Sequence, residues 1–119
     1  KIYIGGDSGY DEHFKTIGNL HGPFDLAILE CGQYDKNWKY IHMMPEEVVQ
    51  AAQDLNSKKL LAVHWGKFAL GNHAWDEPAI RVHKAAQEKQ MNLLTPMIGE
   101  QVNIDDPHQQ FLPWWENIE

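Results

Sequence analysis

The chain has 119 residues, 43% of them hydrophobic, and a formal net charge of −7, which sets the expectation of a single domain spanning 1–119 with one hydrophobic core. The acidic balance leaves no basic stripe to track phosphates, so nucleic acid is excluded as a partner class, and no apolar run reaches the ~20 residues that a membrane-spanning helix needs. The single cysteine, Cys31, excludes an internal disulfide and fits a reducing, cytoplasmic setting.

In chain order, residues 1–4 form a short apolar strand that runs into Gly5-Gly6-Asp7-Ser8-Gly9-Tyr10. Because Lys1 already lies within that strand and no initiating Met precedes it, the chain is expected to be a piece of something longer. Residues 11–20 carry Phe14, Ile17 and Leu20 at helical spacing, and Gly22-Pro23 ends the helix. A second strand, 26–29, leads into Glu30-Cys31-Gly32. Residues 33–40 are polar and aromatic without a period, and their rings are expected to cover the strand-end edge.

Pro45 suits a first helical position, and Glu46 and Glu47 complement the positive end of the helix dipole. That predicts a helix over 45–57 with Val48, Val49, Ala52 and Leu55 on its apolar face. Residues 59–64 read as a central strand covered on both faces, ending at His64. Asp76-Glu77-Pro78 repeats the helix-start pattern, giving a helix to about Gln90 lined by Ile80, Val82, His83 and Ala86. Two last short strands are expected at 93–97 and 101–104, joined by a turn at Gly99, with an extended aromatic tail over 111–115. The alternation predicts an α/β fold, a mainly parallel sheet with right-handed helical crossovers.

Three strands end alike: apolar, then polar, then glycine. If they are parallel neighbours, Asp7, Glu30 or Cys31, and His64 meet at the carboxyl edge of the sheet, where open α/β folds collect ligands. Asp7 reads either as a ligand between glycines or as an Asx-turn or capping residue. His64 reads either as a ligand or as a hydrogen-bonded strand-end histidine. Together, a carboxylate and an imidazole suit zinc, iron or manganese. His42, in the connection ahead of Pro45, is a site residue or a helix cap. Cys31 reads as a small core residue. His13, His21, His73, His83 and His108 read as surface or packing residues, with His73 the one to watch.

Gly-Asp-Ser-Gly-Tyr after the first strand, His42-Met43-Met44-Pro45-Glu46-Glu47 opening a helix, and Val63-His64-Trp65-Gly66-Lys67-Phe68 on the third strand resemble a metallo-β-lactamase-fold hydrolase. Within that superfamily they are most similar to the N-acylphosphatidylethanolamine phospholipase D branch. The resemblance covers residues 1 to about 97 and implies one half, the carboxy-terminal half, of an αββα sandwich. It implies that Asp7 bridges two metal ions, usually zinc, that His64 is the last histidine ligand of the second, and that His42 and Asp7 serve catalysis, His42 near the substrate phosphate. The substrate implied is a phospholipid-like or small-molecule phosphodiester.

None of the histidines forms the His-x-His pair that the resemblance calls for. The expectation is therefore an incomplete metal site and a fragment inactive alone. It also includes an unpartnered sheet face, with Ile2, Ile4, Leu29, Leu61 and Val63, that a homodimer would bury. The alternative is a non-catalytic α/β ligand-binding or assembly domain.

Overall fold

Side chains alternate between the two faces of a strand, so register decides which residues meet the helices. In the computed structural model, described for residues 1–118, the elements run β1 (Ile2–Ile4), α1 (His13–His21), β2 (Leu26–Glu30), α2 (Pro45–Asp54), β3 (Lys59–Val63), α3 (Glu77–Glu88) and β4 (Asn92–Leu94). A short 3₁₀ helix, Trp114–Asn117, follows near the end. The four strands form one sheet in the order β1-β2-β3-β4, and every pairing is parallel.

Each crossover steps in the same direction across the sheet, so connections of one hand put all three helices on one face. The core shows this. Ala27, Leu29, Leu60 and Ala62 of the strands are buried with Phe14 of α1, Val48, Val49, Ala51 and Ala52 of α2 and Val82, Ala85 and Ala86 of α3. The α2 pattern read from the sequence is fully used, and Leu55 just beyond the helix joins the same cluster. Cys31 is completely buried, as expected of a small core residue.

The opposite face is the open one. Register aligns Ile2 with Leu26, Ile4 with Ile28, and Ile28 with Leu61, and on this face Ile4 is 73% exposed and Val63 36%. Two expectations change here. Leu29 pairs with Ala62 and points into the helix-covered core, one residue out of phase with the open face. β3 is covered by helices on one side only.

Other expectations shift at the element ends. Leu20 and Ile80 project into solvent because α1 and α3 turn their Phe14 and Ala79–Val82–Ala86 sides inward. Residues 101–104 form no strand. Instead the carbonyls of Ile104 and Asp106 accept hydrogen bonds from the buried Lys59 ammonium at 2.5 and 2.7 Å, which fixes this segment by a side chain rather than by a ladder. The tail coils into the 3₁₀ helix with its rings packed on Trp65, Trp114 stacked on it with centroids 5.2 Å apart and Trp115 edge-on at 5.8 Å. Of the aromatic loop, Tyr34 is buried while Tyr40 is exposed, so only part of it covers the edge.

Candidate metal centre

Parallel register brings the carboxyl ends of β1, β2 and β3 side by side. The ladder continues past the strands through Gly5 N–H donating to Ile28 O and Cys31 N–H donating to Val63 O, both at 2.9 Å. Beyond that point each chain turns away and leaves a polar side chain at the rim. His64 does so with a left-handed backbone, φ 73°, a conformation that costs a residue with a side chain about 1 kcal/mol or more and concentrates at functional sites. Its carbonyl lies so close to Gly32 that a β-carbon there would sit 1.8 Å from it. Only glycine fits.

Two loops close over this rim. Gln33 holds the one after His64, donating to Phe68 O at 3.0 Å and accepting from Leu70 N–H at 2.9 Å. The loop before α2 meets the Asp7 loop at Gly9, where a β-carbon would come 2.5 Å from Lys39 O. Tyr10 anchors the Asp7 loop to α2 by donating its phenol hydrogen to Asp54 at 2.5 Å, and this bond is the main reason its pKa is pushed up to about 12.

Asp7 Oδ1 stands 3.5 Å from His64 Nδ1, and the His42 and His64 rings are 5.9 Å apart at their centroids. Asp7, His42 and His64 each offer one ligand atom, all within 4.8 Å of one another. A tetrahedral ion bound at 2.0–2.1 Å separates its donors by roughly 3.4 Å, so the Asp7–His64 spacing and the mixed carboxylate and imidazole donors fit a divalent cation. The three side chains line a cavity of about 300 Å³ whose other walls include Trp38, Ile41 and Leu70.

The helix-capping alternatives do not apply. α1 and α2 have no side-chain cap, so neither Asp7 nor His42 serves as one. Burial holds the His42 pKa below the ordinary value, with Asp7 opposing and His64 reinforcing the shift.

Glu30, which the sequence placed only loosely at this edge, is 2% exposed. Its Oε1 accepts from Met43 N–H at 2.8 Å, and its Oε2 lies 3.4 Å from His42 Nδ1. Loss of hydration raises its pKa to about 7 against the Met43 hydrogen bond, with Asp7 and Glu47 adding to the rise. The available signal was a carboxylate closing an otherwise apolar strand. His73, by contrast, stacks on Tyr34 with centroids 4.1 Å apart and is not among the three clustered donors.

Residues 1–65, a little over half of the chain, match the family described as "Beta-lactamase superfamily domain". An uncharacterized protein of Mycobacterium tuberculosis is 42% identical over 118 residues, 97% of this chain but 32% of that protein's length. The N-acyl-phosphatidylethanolamine-hydrolyzing phospholipase D 1 of Caenorhabditis elegans is 36% identical over 74 residues, 60% of this chain and 21% of that protein. The solved structure of a metallo hydrolase from Ignicoccus hospitalis superposes with a TM-score of 0.57 at 18% identity, covering 79% of this chain and 37% of that one. The chain thus spans 21% to 37% of the length of these proteins. The chain belongs to the family described as "Beta-lactamase superfamily domain", and its parallel four-stranded sheet shares the metallo-β-lactamase fold.

Proposed function

We propose that this chain supplies the Asp7–His64 side of a dinuclear, zinc-dependent hydrolase that cleaves phosphodiesters of the phospholipid kind. The observation that carries the reading is the meeting of Asp7, His42 and His64 within 4.8 Å at the carboxyl ends of three parallel strands. Relatives named as metal-dependent hydrolases and as phospholipase D support it. When bound, the metal supplies Lewis-acid stabilisation of developing charge and acidifies a water.

The chain's own residues then divide the work. Asp7, with two carboxylate oxygens, would help hold the two cations, and His64 would hold one of them through its imidazole. His42 faces the cavity near the place of the substrate phosphate, while Trp38, Ile41 and Leu70 provide an apolar wall for the group attached to it. A closed zinc site takes about four ligands, and three donors fall short of that number. The chain alone therefore holds metal weakly and does not turn over, and its open sheet face pairs with a second copy.

Titration of the chain with zinc, followed calorimetrically, tests the reading. Saturable binding that falls at least tenfold in Asp7→Ala supports it. No binding, or binding indifferent to that change, sinks it.

A further inference from the structure

Two buried polar atoms at this site have no hydrogen-bond partner among the described residues, and they face each other: Glu30 Oε2 and His42 Nδ1, 3.4 Å apart. An unpaired buried donor or acceptor costs roughly 1–3 kcal/mol, and buried polar atoms are satisfied almost without exception. One proton between these two satisfies both. A movement of a few tenths of an ångström brings them to ordinary hydrogen-bond distance.

The other carboxylate oxygen is already committed. Oε1 accepts from the Met43 backbone N–H, one residue past His42, so the carboxylate grips the backbone and the ring of the same segment. The His42 side chain is 13% exposed, and Trp38 meets its ring edge-on with centroids 6.1 Å apart.

We propose that Glu30 is the positioning residue of His42, accepting the proton of Nδ1–H on Oε2 and so fixing the tautomer in which Nε2 carries the free lone pair for the Asp7–His64 pocket. The ring nitrogen that serves chemistry is usually set by the bond the other nitrogen makes. The role rests on His42 serving the site as proposed above, but the pairing is tested without metal or substrate.

The test is the long-range proton–nitrogen correlation spectrum of the histidines in the 119-residue chain at about pH 8, above the ordinary carboxyl and imidazole ranges. His42 is expected as the Nδ1–H tautomer. Glu30→Gln keeps the oxygen for Met43 and places an amide N–H against Nδ1, so His42 is expected to switch to the Nε2–H tautomer. A residue that only fills space would leave the tautomer unchanged. A wild-type His42 found as Nε2–H, or as an equal mixture, overturns the proposal without any variant, as does a folded Glu30→Gln with the tautomer unmoved. Failure of zinc binding with the tautomer as expected would remove the hydrolase reading and leave the Glu30–His42 pair standing.

Discussion

Asp7 Oδ1 and His64 Nδ1 lie 3.5 Å apart, although one follows the first strand and the other the third. β2 lies between their strands, so the contact depends on two loops leaning inward over its end. His64 reaches it through a left-handed backbone, and Asp7 through a loop flanked by Gly6 and Gly9.

The roles proposed for the two histidines separate under substitution. His64→Ala is expected to weaken zinc binding at least tenfold, whereas His42→Ala changes it less than about threefold, because His42 turns Nδ1 to Glu30 and supports neither ligand by a hydrogen bond. Calorimetric titration of both variants checks the order, and equal losses would make His42 a ligand too.

Gly32→Ala forces a β-carbon to 1.8 Å from the His64 carbonyl, a contact the backbone must move to relieve. The expected cost is about 3 kcal/mol or more, in the range of severe overpacking. Urea denaturation measures it. A loss under 1 kcal/mol would mean that the strand ends approach less closely than described.

Glu30 carries the pH dependence. Its folded pKa is raised from 4.5 to about 7, so between those values the folded state holds more proton than the unfolded state. Stability is then greatest below about pH 4.5 as far as this group is concerned and is lost as pH rises through 7, by about 3 kcal/mol. Glu30→Gln should flatten that slope. Denaturation midpoints at pH 5 and pH 8 for the two proteins give the answer, and parallel slopes would refute it.

Tyr10 should ionise late. Its hydrogen bond to Asp54 and its partial burial push its pKa up to about 12, so Tyr10 joins Tyr3 and Tyr34 in staying unionised above the ordinary value of 10 in an ultraviolet titration. Tyr10→Phe should reduce the amplitude of the late transition by one tyrosine and cost about 1 kcal/mol, the typical net worth of a hydrogen bond.

The open sheet face predicts self-association. Light scattering at micromolar concentration is expected to return a dimer mass, and Ile4→Asp, at a residue 73% exposed on that face, is expected to return a monomer. A wild-type monomer would discard the second copy as the covering partner.

Local pattern fixed much of this protein in advance. Apolar runs bounded by Gly, Pro and charge are short-range signals, so the order of strands and helices, the parallel sheet and the buried stripe of α2 could all be read from the chain. So could the rim on which Asp7, His42 and His64 lie, because parallel strands put their carboxyl ends on one edge. Which face each residue takes is different in kind. Leu29 reads in sequence as an open-face residue and belongs to the core, since a one-residue change of phase along a strand reverses every side chain. The segment 101–104 forms no strand, and its backbone groups go to side chains instead: the Ile104 carbonyl to Lys59, far away in sequence, and the Gln101 carbonyl and Asn103 N–H to Gln109. Glu30 illustrates the same limit: the sequence placed a carboxylate near the edge, but only packing removed its water, gave it Met43 and His42 as neighbours and raised its proton affinity. Periodicity is a property of neighbours along the chain, whereas burial and charge pairing belong to neighbours in space.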